Sequence, residues 1–273
     1  FTVGMEATNA LVLLASVYVG AEYGGSIPAI LIRTPGTNSA SATVIDGYEM
    51  AKQGRAGEAL GISLISGLVG GLFGLLVLVL CTESLAKVAL AFTPAAYFSL
   101  GILGLSVIAG LSGGSLMRGL IAACIGLMIA FIGSDPVSGV QRFTFGSEDL
   151  LDGVKPILIM VGLFAVTEML VQIGEPAWAS GGNASTKLKL PNWAMTKRLI
   201  KPQSIGAVIG TVEGVTPGAG GTIAAFMAYS EAKRWSKHPE EFGKGSPEGV
   251  AAPESANNVV TATALVPLLS LGI

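Results

Sequence analysis

Residues 59–82 read ALGISLISGLVGGLFGLLVLVLCT, 24 consecutive positions without a charged side chain. About 20 apolar residues in a helix span the hydrocarbon core of a bilayer. This stretch therefore sets the expected class, an all-α, polytopic integral membrane protein. The pattern recurs along the chain: residues 88–117 carry no charge for 30 positions and 119–134 none for 16. Spanning helices are expected near 5–21, 59–81, 84–111, 118–133 and 154–173, with Pro94 kinking or breaking the third. Gly67 with Gly71, and Gly70 with Gly74, form two overlapping GxxxG patterns, a spacing that lets helices pack closely in lipid.

Composition agrees. Only 12% of residues are charged, against roughly 25% in soluble domains. The residues AVILMFWYC make up 51%, 38 glycines add to them, and mean hydropathy is +0.67. A soluble core that apolar would leave too few charges to solvate its surface. The net charge of −2 provides no basic footprint for nucleic acid. Cys81 and Cys124 lie in or beside apolar runs and read as small hydrophobes, not as a disulfide or a metal site. The chain opens on Phe1 and ends on Ile273 within an apolar run, so it reads as part of a longer protein.

Lysine and arginine set the orientation. Loops 34–58, 112–118 and 175–203 carry Lys52, Arg55, Arg118, Lys187, Lys189, Lys197, Arg198 and Lys201, whereas loop 134–153 carries Asp135, Glu148, Asp149 and Asp152 with only Arg142. One crossing per helix puts the basic loops on one side, read as cytoplasmic, and the acidic loop on the other. Residues 1–174 then form a first membrane region, 175–203 a basic linker, and 204–273 the start of a second.

Segment 204–232 breaks the simple alternation, because both its flanks are basic: Lys197 to Lys201 before it, and Lys233, Arg234 and Lys237 after it. Its middle, Thr216-Pro217-Gly218-Ala219-Gly220-Gly221-Thr222, breaks a helix. A re-entrant pair of half-helices is expected, the alternative being one kinked span. Such backbone is tolerated at membrane depth only where protein or a wet cavity satisfies it. A second re-entrant segment is expected near 22–36. Pro28 to Gly36 also has a weak echo in Pro267 to Ile273, each placing a proline at the start of a short apolar run. Internal repeats of that kind mark binding sites in transporters.

Three polar, glycine-rich islands interrupt the apolar sequence. The first holds Gly24, Gly25 and Ser26, continuing to Thr34, Pro35, Gly36, Thr37 and Asn38. The second holds Thr216, Pro217, Gly218, Gly220, Gly221 and Thr222. The third holds Ser255, Asn257 and Asn258 beside Glu254. Half-helix N-termini direct partial positive charge at a carboxylate. Opened carbonyls with hydroxyl and amide oxygens suit a hard cation, here sodium through Ser26, Thr222, Asn257 and Asn258. Tight turns and helix caps are the competing use of the same residues. Intramembrane carboxylates are functional candidates, which singles out Glu213, Glu254 and Glu168 for coupling or for structural hydrogen bonds. Asp46 and Arg55 are placed to lock the base of a hairpin, and Arg33 either approaches an anion or snorkels. His238 sits in a charged loop. No GxxxxGK[ST], HExxH, CxxC or GxSxG is present, so no enzymatic constellation is expected.

At these islands the sequence resembles a known family. Tyr23-Gly24-Gly25-Ser26 with Pro35-Gly36, Asp46 to Ala51, Gly54 to Leu60, Pro217 to Phe226, Phe242 to Gly245, and Glu248 to Asn258 are similar to the large membrane subunit of tripartite tricarboxylate transporters, the TctA family. The resemblance implies an elevator-like fold with inverted repeats and paired hairpins. It implies uptake of citrate-like tri- or dicarboxylates by symport with sodium or protons, with no bound cofactor. The implied partners are a small TctB-like membrane subunit, a TctC-like periplasmic solute-binding protein and further copies of the chain in a homo-oligomer, in a bacterial inner membrane. Arg33 departs from the small polar residue expected there. Two other readings stand beside this one: the permease of an ATP-driven importer, and a channel-like membrane scaffold.

Overall fold

A computed structural model describes residues 2–91, 93–110, 116–135, 138–174, 187–216 and 220–271. The chain is mostly helical. Helix α1, Ala7–Gly24, bends at Gly25 into the short α2, Ser26–Ile32, which Arg33 ends in the left-handed conformation (φ 58°). Residues 34–39 fold back, and α3 runs over Ala40–Lys52. Helix α4, Ala56–Leu90, is followed by α5, Pro94–Gly110, and α6, Leu116–Ala130. A strand pair, Gly133–Ser134 with Gln141–Arg142, occupies the acidic loop. Then α7, Pro156–Met160, passes through a π-helical turn, Val161–Val166, into α8, Thr167–Gly174. Helices α9, Trp193–Val215, and α10, Gly220–Trp235, lie beside α11, Pro247–Thr263, which leads into α12, Leu265–Leu271.

Three boundaries differ from expectation. Helix α4 does not stop near 81 but continues through Glu83 and Lys87; that spacing lets opposite charges support the same helical face. The expected span 84–111 therefore starts only at Pro94. There, as the first helical residue, proline loses no intrahelical hydrogen bond and initiates the helix, instead of kinking it. The basic stretch Lys197 to Lys201 is helix, not loop. Asn192 caps α9 by accepting from the Met195 N–H at 2.9 Å, which starts the helix upstream of those residues.

Helix α11 is the axis of the structure. All residues from Pro247 to Thr261 are buried, and α1, α3, α4, α9 and α10 pack around it. Its side chains are mostly small, and its neighbours present glycine to it. A Cβ on Gly206 or Gly210 of α9 would lie 2.4 Å from the carbonyl oxygens of Ala252 and Ala256. One on Gly70 or Gly74 of α4 would lie 2.4 or 2.8 Å from those of Ser255 and Val259. The backbones therefore touch with no side chain between them.

Away from this axis the outer faces stay apolar. Leu11, Leu14 and Val17 of α1, Leu72, Leu76 and Val79 of α4, and Ile121, Ile125 and Met128 of α6 are all exposed. A soluble monomer does not carry apolar surface on that scale; lipid covers it at no cost. Ala7–Ile32 and Ala56–Lys87 are long and apolar enough to cross a membrane. Shorter apolar helices cover Phe98–Val107, Leu116–Ala130 and Leu158–Val171.

Candidate functional site

The islands converge on α11. Helix α2 brings Ser26 to Glu254, α3 brings Thr43, and α4 brings Ser63. The Ser26 and Thr43 hydroxyls each donate to Glu254 Oε1 at 2.5 Å, and the Ser63 hydroxyl donates to Oε2 at 3.1 Å. The carboxylate is buried, and three donors offset the loss of water that would otherwise make it prohibitive. Ser26 of the first island and Glu254 of the third thus share one polar core.

One helical turn away, the second island joins them. The fold-back after α2 is held by the Gly36 N–H donating to the Gly25 carbonyl at 3.0 Å. It requires glycine, since a Cβ on Gly25 would lie 2.6 Å from Thr37 Oγ1. The loop carries Thr37 and Ser39 to the start of α3. Their hydroxyls lie 3.2 Å apart, and Ser39 donates to Glu22 Oε2 at 2.5 Å. Gly221, in the first turn of α10, faces Asn257 and Ser39: a Cβ there would sit 2.5 Å from Asn257 Oδ1 and 3.5 Å from Ser39 Cβ. The N-terminal ends of α3 and α10 therefore meet around the Asn257 amide. Glu213 lies three residues before Thr216, at the far end of α9. It is buried, and among the described residues its Oε2 has no hydrogen-bond partner.

Other candidates play packing roles. Thr34 caps α2 through its N–H to the Pro28 carbonyl at 3.2 Å. Ser255 donates to the Gln203 carbonyl at 2.9 Å and joins α11 to α9. Asn258 donates to the Glu254 carbonyl and lies against Gly67 of α4. Thr216 returns its hydroxyl to the Val212 carbonyl. Asn38 is exposed, Pro35 is buried, and Gly24 faces open space. Pro217 and Gly218 lie outside the described residues. Of the four residues expected to share a sodium ion, three point to different places. Ser26 faces Glu254, Asn257 faces Gly221, and Asn258 faces α4, because adjacent helical residues diverge by about 100°. Among the described residues, no group of three or more His, Cys, Asp or Glu forms a metal set.

Two charged clusters flank the core. Glu168, on α8, accepts from Tyr48 and pairs with Arg33 at 3.2 Å. Arg33 is thus engaged by a carboxylate of its own chain, and Glu168 serves as a tie between α8 and α3. Asp46 locks the turn before α11: its Oδ1 accepts from the N–H groups of Gly243, Gly245 and Ser246 at 2.8–2.9 Å, and its Oδ2 from Tyr229. Burial pushes the Asp46 carboxyl above the usual carboxylate range, while the hydrogen bonds from Ser246, Gly243 and Tyr229 pull against it. Arg55 reaches the Gly245 carbonyl at 3.3 Å and pairs with Glu58. Glu22 was not singled out from sequence. It reads as the polar end of an apolar helix, and only the fold-back of 33–39 brings Ser39 to it.

The chain is 40% identical to an uncharacterized 52.8 kDa protein from the TAR-I ttuC' 3' region of Agrobacterium vitis, over all of this chain and 54% of that protein. It is 55% identical, over 64 residues, to an uncharacterized protein from the TAR-II ttuC' 3' region of the same organism; the match covers 23% of this chain and 26% of that protein. The chain thus spans about half the length of the first of these relatives. No solved structure matches it. Residues 1–273 match the description of the tripartite tricarboxylate transporter TctA family, a family of membrane transporter components and not of enzymes, and the chain belongs to that family.

Proposed function

We propose that this chain is part of the multi-pass translocating subunit of a secondary transporter in a bacterial inner membrane. It takes up citrate-like tri- or dicarboxylates by symport with sodium or protons. A TctB-like small subunit and a TctC-like periplasmic binding protein complete the assembly. The observation that carries the reading is the meeting of Ser39, Gly221 and Asn257. Two helix N-termini and an amide converge there, and such ends favour an anionic group. Glu213 and Glu254 supply buried carboxylates within the same bundle for the coupling cation. The Oε2 of Glu213, which has no hydrogen-bond partner among the described residues, favours it as the group that gains and loses a charge during the cycle.

Helices α9 and α10 support a re-entrant hairpin, since Lys201, in the third turn of α9, donates to the Trp235 carbonyl at the end of α10. A repeat is supported by a shared local design. α1 bends into a seven-residue helix with proline third, Ser26-Ile27-Pro28, and α11 bends into another, Leu265-Val266-Pro267. Movement of such a unit against a fixed scaffold is the elevator reading. The test is accumulation of radiolabelled citrate and other carboxylates in proteoliposomes holding the complete large and small subunits with the binding protein. Uptake should require a sodium or proton gradient and no ATP. Gradient-independent equilibration, or a requirement for ATP, would overturn the proposal.

A further inference from the structure

We infer that the base of the α9–α10 hairpin binds the phosphate headgroup of an anionic phospholipid. A cleft of about 380 Å³ opens there, lined by Lys197, Arg198 and Lys201 of α9 and by Trp235, Lys237 and His238 at the end of α10. That volume lies within the range of small-molecule sites. Arg198 is already spent, since it holds both Glu241 and Glu248. Among the described residues the three lysines form no ion pair with a carboxylate. His238 faces Glu240 at 3.7 Å. What the cleft offers is three ammonium groups, two of them held in position by neighbouring rings. Lys197 lies 5.4 Å over the Trp193 ring, and Lys201 lies 5.8 Å over the Trp235 ring while donating to the Trp235 carbonyl.

Both a free phosphate and a lipid headgroup fit three ammonium groups. Two features favour the lipid. Trp193 and Trp235 are 72% and 57% exposed, and exposed tryptophans gather at the boundary between headgroups and hydrocarbon. From that boundary an apolar stripe, Ile200, Val208 and Val212, runs outward-facing along α9. Val208 and Val212 lie seven and eleven residues beyond Lys201, close to whole helical turns, so the stripe continues the face of Lys201 into the hydrocarbon, where an acyl chain would follow. The site lies on the side read as cytoplasmic, whose leaflet is the anionic one and attracts juxtamembrane lysines. The inference depends on membrane insertion and not on what the protein transports.

The test is native mass spectrometry of the complete subunit, released from micelles titrated with dioleoylphosphatidylglycerol, dioleoylphosphatidylcholine or sodium phosphate. Phosphatidylglycerol should bind to the wild type, and the Lys197→Gln/Lys201→Gln/Lys237→Gln variant should bind it about 100-fold more weakly. Phosphatidylcholine adducts should be equal in the two proteins, and sodium phosphate should leave bound phosphatidylglycerol in place. If the triple variant does not fold, the single variants Lys197→Gln and Lys237→Gln should each lose about 5-fold. Undiminished phosphatidylglycerol binding by the folded variants overturns the inference. So does displacement by sodium phosphate, which would assign the cleft to a soluble anion.

Discussion

The Ser26 hydroxyl donates to the Glu254 carboxylate at 2.5 Å across 228 positions of sequence, and Thr43 and Ser63 complete the set of donors. Three helices thereby hold one buried carboxyl group on α11. Replacing Ser26 or Thr43 by alanine removes one hydrogen bond to a buried carboxyl group, which is expected to cost about 2 kcal/mol. Glu254→Gln keeps the shape and one accepting oxygen, and the Ser63 hydroxyl can turn to accept from the new amide. This variant is expected to melt close to the wild type while losing the dependence of uptake on the driving cation. Thermal melting of the purified subunit, paired with uptake under imposed sodium and proton gradients, measures both. Gradient-driven uptake unchanged in Glu254→Gln would remove Glu254 from coupling.

The contact of α9 with α11 rests on glycine. Alanine at Gly206 or Gly210 would place its Cβ 2.4 Å from a backbone oxygen that cannot rotate away. The helices must separate, at an expected cost of about 2 kcal/mol for each substitution. Gly71 is the control, because a Cβ there meets nothing within 4 Å. Gly71→Ala should leave stability unchanged or raise it by up to about 1 kcal/mol through helix propensity. Melting of the three variants in one detergent gives the comparison; equal loss at all three positions would refute the packing account.

Asp46 and Gly249 form a second paired test. Oδ1 of Asp46 accepts three backbone N–H groups, so Asp46→Asn turns its amide NH2 either toward those donors or toward the Tyr229 hydroxyl, which then loses its acceptor. A loss of about 3 kcal/mol is expected. Gly249→Ala should act similarly without touching any charge, because its Cβ would lie 2.1 Å from Asp46 Oδ2 and push the carboxylate out of its nest. Protease sensitivity of residues 243–246, read by mass spectrometry, should rise in both variants.

How far the sequence reveals this structure depends on the range of the interactions. The long apolar helix α4 was legible because 24 uncharged residues have few other uses, and Asp46 was legible as a lock because a carboxylate between apolar runs needs partners. The end of α4 was misread, because Glu83 looks like an interface although a single charged turn continues a helix readily. Of the two GxxxG patterns in α4, Gly67, Gly70 and Gly74 face α11, while Gly71 faces open space; spacing cannot say which side a partner takes. Gly206, Gly210 and Gly214 repeat every four residues and do pack, against Ala252, Ala256 and Thr263. That signal was readable and went unused. Ser39 and Glu22 were not readable, since their contact depends on a fold-back that composition does not encode.

Asn257 and Asn258 are neighbours in sequence with different tasks. Asn258 donates to the Glu254 carbonyl and fills the space left by Gly67, so Asn258→Ala should lower stability by about 1 kcal/mol and reduce uptake only as far as the protein is lost. Asn257 presents its Oδ1 to Gly221 at the meeting of α3 and α10. Asn257→Ala should melt near the wild type yet take up carboxylate at least tenfold more slowly, a loss of about 1.4 kcal/mol or more in the barrier. Gly221→Ala should reproduce that defect, because its Cβ would displace the same amide. Uptake rates normalised to folded protein in proteoliposomes separate the two residues. If Asn257→Ala and Gly221→Ala transport normally, the convergence of α3, α10 and Asn257 is a packing junction and the anion binds elsewhere.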